Sequence, residues 1–181
     1  MRQQPGQKAP LVKLPAIDGS VFDTSRLAGT PYMLSFFRFA SCPFCNLRVH
    51  ELCERFADFG DNFTIVAIFD SPLDNLIQHA ERHHAQFPIL ADEDNHYYQE
   101  YGIEHSIFGV LKGIIGRMAT LRRAMSMGYQ AKIIKGSLTT MPADFCIDQA
   151  GIIQVAYYGR DEGDHLPLEQ VKQFASQAAA S

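Results

Sequence analysis

The chain has 181 residues, of which 46% are hydrophobic and 20% are charged, values typical of a soluble globular protein. This length fits one domain, and we predict a single domain over residues 1–181, with residues 1–30 as an N-terminal extension. The formal net charge of −4 is uninformative, no glycine-rich phosphate loop is present, and we expect no nucleic-acid partner. No apolar run reaches the ~20 residues that span a bilayer, and the first eight residues lack a hydrophobic signal segment, so we expect a cytoplasmic protein.

The first half of the chain alternates short apolar runs with helical patterns. The dipeptide Asp18-Gly19 favours positive φ, which suits the two central positions of a hairpin turn. The expected elements are, in order, a hairpin over residues 11–24, a strand near 32–38, a helix over 43–59, a strand over 63–69, a helix from 71 to about 84, a short strand at 87–90 and one or two helical turns over 95–101. On the helix over 43–59, an apolar stripe predicts the buried face and Arg48 lies on the charged face opposite.

The second half contains a helical segment between two parts of the predicted sheet. Residues 106–128 carry apolar side chains spaced 4, 3, 4, 3 and 4 residues apart, which predicts an amphipathic helix. A hairpin over 143–147 and 152–158 and a helix over 167–178 follow. This order predicts an α/β fold in which helices flank a mixed β-sheet, with an N-terminal hairpin and a helical insertion at about 105–136.

The insertion differs from the rest of the chain in charge. No acidic residue lies between Glu104 and Asp144, whereas the same stretch holds six lysines and arginines and four of the six methionines. Flexible methionine side chains suit adaptable apolar contacts. Two interpretations follow: a helical cover over one sheet edge with its basic side chains in water, or a lid or docking surface at 106–136, beside the dithiol, for an anionic partner or a membrane surface.

The pair Cys42 and Cys45 is the strongest functional signal, because a Cys-Pro-Phe-Cys run joins a predicted strand to a predicted helix. If Cys42 is the helix N-cap, its sulfur faces unpaired backbone N–H groups and the positive end of the helix dipole, and both lower the thiol pKa. Cys45 lies one turn further on the same face, close enough for a disulfide, and starts the buried stripe. We therefore predict that Cys42 attacks and that the less accessible Cys45 resolves by forming a Cys42–Cys45 disulfide. Pro43 and Phe44 shape the turn and tune the pair.

A zinc site is the structural alternative, since Cys42, Cys45, His50 and Cys53 have ligand-like spacing. A helix rises ~1.5 Å per residue, so Cys53 would lie about 16 Å from Cys42 along the helix axis. Zinc ligands lie only ~2.0–2.3 Å from the ion, so the helical pattern of this segment argues against zinc. We predict no metal and no organic cofactor.

The run from Phe36 to Leu52 resembles the active-site segment of thioredoxin-fold proteins, most closely the peroxiredoxin-like branch of the alkyl hydroperoxide reductase/thiol-specific antioxidant (AhpC/TSA) family. Residues 141–153, with a proline before a hairpin strand and an Asp-x-x-Gly turn, resemble that family's later segment. Residues 8–34 fit its N-terminal hairpin. The resemblance covers most of the chain outside the insertion and implies a thioredoxin-like fold.

The resemblance also implies a substrate groove beside the dithiol. In that family's fold Pro142 would be a cis-proline, and cis X–Pro bonds are rare and usually retained for a purpose. Here the purpose would be to bring the backbone of Met141 next to Cys42, where it can pair with a bound substrate. Together with Pro43 and Phe44, these residues form the predicted substrate-binding set.

One part of the peroxiredoxin pattern is missing. Peroxiredoxins carry a Pro-x-x-x-Thr/Ser-x-x-Cys motif whose hydroxyl helps to position the peroxide, but the proline and hydroxyl positions here hold Ser35 and Phe39. The activating arginine of the family has no counterpart before Pro142. We predict that Arg38 or Ser41 substitutes for it by stabilising the thiolate or donating a hydrogen bond.

The remaining candidates are expected to be structural. Cys53 and Cys146 are interpreted as small apolar core residues. His79 and His83 stand four residues apart on a predicted helix, a spacing that can hold a metal, but charged neighbours favour a solvated face.

These observations predict a thiol-disulfide oxidoreductase that acts on disulfides, with hydroperoxide reduction as an additional antioxidant activity. A thioredoxin or glutathione system would supply electrons, and a homodimer is compatible with the sequence. Two alternatives remain open: a non-catalytic binding module with the same fold, and a protein that handles soft metals through Cys42, Cys45 and Met141.

Overall fold

The structure is a computed structural model that describes residues 1–106, 108–109, 116–129 and 135–179. Much of the first half of the predicted insertion helix, including residues 110–115, therefore lies outside the described residues. Within the described ranges, no helix is long and apolar enough to cross a membrane.

The elements follow the predicted order. The described strands are β1 (Lys13–Pro15), β2 (Val21–Asp23), β3 (Tyr32–Phe37), β4 (Thr64–Phe69), β5 (Ile89–Ala91), β6 (Ala143–Ile147) and β7 (Ile153–Tyr158). The described α-helices are α1 (Pro43–Glu54), α2 (Leu73–Ala80), α3 (His96–Glu100), α4 (Met118–Ser126) and α5 (Leu168–Ala179), and 3-10 helices cover Thr24–Leu27, Phe56–Phe59 and Glu81–His83. The predicted helix over 43–59 is interrupted at Arg55, where φ of −105° and ψ of 10° leave the α region, so a 3-10 helix completes it.

Five strands form one mixed sheet with the order β5-β4-β3-β6-β7. β3 pairs in parallel with β4 and β4 with β5, whereas β3–β6 and β6–β7 are antiparallel. β1 and β2 form a separate antiparallel hairpin, and Gly19 in its turn has the expected positive φ of 84°. The predicted α/β fold with a mixed sheet and an N-terminal hairpin is confirmed. β3 is the central strand of the sheet. The segment that follows it therefore leaves the sheet at the middle of one edge, where the strands end.

Both faces of the sheet are covered by apolar side chains. Alternate residues of a strand point to opposite faces, so Phe37 of β3 joins a core that contains Cys42 and Cys45 and side chains of α1, α2 and α5. Its neighbour Phe36 joins a second core with side chains of the N-terminal hairpin and α3. The dithiol therefore belongs to a packed core rather than to a flexible surface loop.

Helix α1 is buried on more sides than its pattern predicted. Leu47 packs with Ala124 and Tyr129 of the insertion, and Arg48 is only 9% exposed. The expectation that Arg48 lies on an exposed face is wrong, because α4 covers that side of α1. The described part of the insertion is thus a cover over the active-site helix rather than over a sheet edge.

The two ends of the insertion are hydrogen-bonded to each other. The N–H of Ser106 donates to the carbonyl of Thr139 at 2.7 Å. The N–H of Met141 donates to the carbonyl of Glu104 at 2.9 Å. We call these four residues the neck of the insertion.

The Met141–Pro142 peptide bond is trans, so the predicted cis-proline is wrong; no cis peptide bond occurs among the described residues. The trans form is intrinsically favoured, and the pairing of Met141 with Glu104 in the neck accommodates it. The carbonyl of Pro142 accepts a hydrogen bond from the N–H of Gly159 at 2.8 Å, so this segment is also tied to the end of β7.

A buried carboxylate fastens the segment before α5 to the sheet. Asp144 in β6 is completely buried and accepts hydrogen bonds from the hydroxyl of Ser35 at 2.5 Å and the N–H of Leu166 at 2.6 Å. Nδ1 of His165 lies 3.2 and 3.1 Å from its two oxygens. Burial alone would raise the pKa of Asp144, but His165, Arg48 and the hydrogen bonds outweigh it and hold that pKa below its usual range.

We expect Asp144→Asn to lower the free energy of unfolding by about 3 kcal/mol, because it removes one partner of a buried ionic network. The folded-state pKa of Asp144 is depressed, so its contribution is present above the unfolded-state pKa of about 4 and is lost as the pH falls through the folded-state value. Urea unfolding at several pH values measures this. The exposed Asp94→Asn is the matched control; equal effects of the two substitutions would contradict the prediction.

Candidate dithiol site

The two motif cysteines lie at the first turn of α1, directly after the central strand. Cys42 is the N-cap: its backbone is extended and its sulfur accepts a hydrogen bond from the N–H of Cys45 at 3.4 Å. Pro43 occupies the first turn, where its missing N–H costs nothing. Both sulfurs are free thiols, and both residues are fully buried. The expected difference in accessibility is therefore absent, because the core encloses both residues.

Arg38, in the loop between β3 and α1, joins the Cys42 sulfur to a buried carboxylate. Its Nη1 lies 3.9 Å from Sγ of Cys42 and 2.5 Å from Oε2 of Glu162. The side chains of Arg38 and Glu162 are 3% and 4% exposed, so their charges act in a medium of low dielectric constant. Nη2 of Arg38 donates to the carbonyl of Leu138, beyond the insertion helix. Nε of Arg38 has no hydrogen-bond partner among the described residues.

The surroundings drive the pKa values of the two thiols apart. Burial alone would raise the pKa of Cys42, but hydrogen bonds from Cys45 and the positive charge of Arg38 outweigh it and hold that pKa below its usual value. Burial raises the pKa of Cys45 well above its usual value, and the hydrogen bond with Cys42 and the charge on that sulfur raise it further. This is the arrangement that an attacking thiolate and a protonated resolving thiol require.

Asn46 holds the loop that carries Cys42. Its amide nitrogen donates to the carbonyls of Ala40 at 2.7 Å and Cys42 at 2.9 Å, and its oxygen lies 2.9 Å from Nε2 of His83. Burial, with the charge of a neighbouring arginine, lowers the pKa of His83 to about 4, so the neutral ring donates to Asn46 at pH 7. The ring of Tyr129 packs 5.5 Å from that of His83. The expectation that His83 lies on a solvated face is wrong, because it packs inward between α1 and the insertion.

The other predicted site residues fall into two groups. Ser41 and Phe44 are both buried beside the cysteines, at 1% and 5% exposure. A Cβ added to Gly163 would lie 3.1 Å from Phe44, so the loop after β7 packs against this ring. Met141 and Pro142 hydrogen-bond elsewhere, and none of the hydrogen bonds in the described part of the chain joins them to either cysteine. Their role in substrate binding stays a prediction.

The positions that differ from the peroxiredoxin motif offer no hydroxyl to a peroxide at Cys42. The hydroxyl of Ser35 is bound to Asp144. Phe39 is 4% exposed, and its ring centre lies 5.2 Å from the guanidinium carbon of Arg38. The motif positions therefore supply no free hydroxyl, whereas Arg38 of this loop lies 3.9 Å from the Cys42 sulfur.

Sequence reasoning missed Glu162, Asp144 and Asn46. Asp144 left a signal, because it is a charged residue within an otherwise apolar strand. Glu162 left none, since the acidic run at 161–164 has the composition of a solvated loop. Asn46 on a helix is equally ordinary, and its role depends on partners that only the fold identifies.

The cysteines outside the motif, Cys53 and Cys146, are free thiols. Burial raises the pKa of Cys53 to about 11, and burial and Asp144 raise that of Cys146, so both stay protonated near neutral pH. Over the described ranges, no group of three or more His, Cys, Asp or Glu residues is arranged to hold a metal ion.

We expect Arg38→Met to raise the pKa of Cys42, because it removes the positive charge beside the sulfur, and Glu162→Gln to lower it, because it removes a negative charge. The alkylation rate of Cys42 with iodoacetamide, followed by peptide mass spectrometry from pH 5 to 10, reports this pKa. The rate profile should move to higher pH in the first variant and to lower pH in the second. The exposed Arg26→Met and Glu93→Gln serve as controls; shifts in the same direction for both test variants would refute the arrangement.

Known structures share this fold at low sequence identity. Peroxidoxin BcpB from Mycobacterium tuberculosis is 14% identical with a TM-score of 0.69, over 97% of this chain and 98% of that one. A putative thiol:disulfide interchange protein DsbE from Chlorobium tepidum is 18% identical with a TM-score of 0.59, over 98% and 96%. A yeast mitochondrial 1-Cys peroxiredoxin, resolved via glutathione/thioredoxin systems, is 12% identical with a TM-score of 0.69, over 96% and 75%. These similarities establish the thioredoxin-like, peroxiredoxin-like fold.

A search of curated protein sequences found no significant match. The sequence profile of the AhpC/TSA family matches residues 5–156, which include the hairpin, the dithiol and the segment around β6 and β7. This match covers most of the chain. The protein therefore belongs to the AhpC/TSA family.

Proposed function

We propose that this protein is a thiol-disulfide oxidoreductase in which Cys42 is the nucleophile and Cys45 the resolving thiol. Membership of the AhpC/TSA family supports thiol oxidoreductase or thiol peroxidase activity in general. The observation that carries the finer proposal is the placement of the Cys45 N–H and the Arg38 guanidinium at the Cys42 sulfur. These contacts hold the pKa of Cys42 low, whereas burial and the Cys42 sulfur hold that of Cys45 high.

The reaction proceeds in two exchange steps. The Cys42 thiolate attacks one sulfur of a substrate disulfide, the substrate S–S bond breaks, and the second substrate sulfur leaves as a thiolate that takes up a proton. Cys45 then loses its proton and attacks the Cys42 sulfur, which forms the Cys42–Cys45 disulfide and releases the first substrate thiol. Two electrons pass from the protein to the substrate. Because Cys42 is fully buried, neighbouring side chains move before a substrate sulfur reaches it.

Disulfides are favoured over hydroperoxides as substrates. With a hydroperoxide, Cys42 would become a sulfenic acid and the peroxide would leave as an alcohol or water, after which Cys45 would condense with the sulfenic acid and release water. The site lacks the motif hydroxyl, since Phe39 fills its position. Arg38 supplies a charge beside the sulfur, which supports slower hydroperoxide reduction as a second activity.

The protein is then re-reduced by a thiol system, either thioredoxin or glutathione. The 1-Cys peroxiredoxin neighbour, resolved via glutathione/thioredoxin systems, supports both.

Two alternative functions would give different experimental results from the proposed one. A non-catalytic binding module would hold a dithiol that does not cycle with mild reductants, and a soft-metal handler would bind metal stoichiometrically.

We expect Cys42→Ser to lose disulfide reduction by at least 100-fold, because no other described thiol is activated. Cys45→Ser should instead trap Cys42 as a mixed disulfide, because the resolving step has no thiol. Turnover of a small neutral disulfide and intact-mass spectrometry distinguish these outcomes. Cys53→Ser is the matched control, since that thiol lies on the same helix outside the motif; full activity of Cys42→Ser would refute the assignment.

We expect fully reduced protein to lose the two motif thiols slowly to hydrogen peroxide and rapidly to a disulfide, since Phe39 leaves the peroxide without a hydroxyl partner. Thiol titration with stopped-flow mixing compares the two rates at equal concentrations. A saturable loss to peroxide that is faster than the loss to disulfide would make the protein a peroxidase first.

A further inference from the structure

A cleft lies between α1, α4 and the loop before α5, and it reaches the dithiol motif at Phe44, although neither cysteine lines it. Its volume is about 450 Å³, a size that suits a small molecule. Phe44, which lies between the two cysteines in the motif, lines the cleft together with Arg48, Arg123 and His165. The cleft is therefore continuous with the segment that carries the nucleophile.

Arg48 is the least compensated charge in this cleft. Arg123 is paired with Glu51 at 2.8 Å, and Arg117 is paired with Asp161 at 2.6 Å. Arg48 has no carboxylate within 4.0 Å among the described residues, although it is only 9% exposed. Its Nη2 donates to a backbone carbonyl at 2.5 Å, and its Nε has no partner. Asp144 and Glu51, which also lines the cleft, act on Arg48 only through space. Buried charges are ordinarily paired by contact, so this guanidinium lacks a contacting anion.

A second unpartnered nitrogen belongs to His165, which lines the same cleft. The side chain of His165 is 4% exposed, its Nδ1 is held by Asp144, and its Nε2 has no hydrogen-bond partner. Asp144 is already occupied by the Ser35 hydroxyl, the Leu166 N–H and His165, so it compensates Arg48 only through space. Two residues of the cleft wall thus each carry a buried nitrogen that has no hydrogen-bond partner among the described residues.

The position of Arg48 sets the length of that ligand. Arg48 follows Cys42 by six residues of helix, a rise of about 9 Å. An extended peptide spans ~3.3–3.6 Å per residue, so a carboxylate one or two residues beyond a cysteine, together with the arginine side chain, covers this distance.

We propose that this cleft binds the carboxylate of a small acidic thiol, or of its disulfide, with Arg48 as the anchoring residue and the ligand sulfur directed to Cys42. In the disulfide form, the Cys42 thiolate attacks the near sulfur, the ligand S–S bond breaks, and the other half leaves as a thiolate. The inference rests on the proposed function and names the substrate class of the same site.

Binding without chemistry tests the cleft directly. S-methylglutathione carries two carboxylates but cannot form a disulfide, and its dimethyl ester keeps the ammonium group but lacks both negative charges. Calorimetric titration of the reduced protein should show the acid binding at least 10-fold more tightly than the ester. Arg48→Gln should weaken binding of the acid by about 10- to 100-fold, because a charge-assisted hydrogen bond is lost. The exposed Arg122→Gln on α4, which does not line the cleft, should bind like wild type.

Equal affinity for acid and ester, or equal effects of Arg48→Gln and Arg122→Gln, would overturn the proposal. If Arg48→Gln does not fold, as judged by circular dichroism, the acid–ester comparison in the wild-type protein decides alone. A failure of the proposed function itself gives a different result, because the protein would then reduce neither glutathione disulfide nor neutral hydroxyethyl disulfide. In an active protein, the ratio of kcat/KM for glutathione disulfide to that for hydroxyethyl disulfide should fall at least 10-fold in Arg48→Gln, and an unchanged ratio would count against the cleft.

Discussion

The site depends on the hydrogen bonds that the buried carboxylate of Asp144 makes with three parts of the chain. This carboxylate lies in the middle of the sheet, beside Ser35 of the central strand, and holds both His165 and the backbone of Leu166. The carbonyl of Leu166 in turn accepts a hydrogen bond from Arg48 on the active-site helix. These hydrogen bonds together hold the segment between β7 and α5 against α1. They are the reason that a residue of that segment, 124 positions away in sequence, meets the arginine beside the nucleophile.

The two cysteines differ in their electrostatic surroundings. Both are enclosed by the same core, and desolvation opposes ionisation of each. Only Cys42 has both the N-cap geometry and an arginine nearby, and one negative charge at that position disfavours a second at Cys45. The counter-charge of Glu162 limits the activation, because it neutralises part of the field of Arg38.

Much of the fold was predictable from local patterns. The turn at Asp18-Gly19, the proline after Cys42 and the apolar strand runs each act over a few residues, and the structure has the hairpin, the N-cap and the sheet strands that they predicted. The contacts that complete the site join residues far apart in sequence, such as Arg38 with Glu162, and no local pattern encodes such pairs. The exposed face assigned to α1 failed for the same reason, since a helix some 70 residues later covers it. The trans Met141–Pro142 bond occurs beside the pairing of Met141 with Glu104 in the neck, a contact that only the folded chain defines.

The neck determines which changes of sequence and length the insertion can accept. Two backbone hydrogen bonds close the insertion at its base, and they involve no side chain. Backbone bonds survive substitution, so the segment between them can be lengthened, shortened or exchanged while its two ends stay together. The segment also reaches the thiol site, because Arg38 beside Cys42 donates to the carbonyl of Leu138 just inside the neck. A segment grafted onto the same neck would therefore keep its attachment to the sheet, and it would keep the surroundings of the nucleophile only if it preserved that carbonyl.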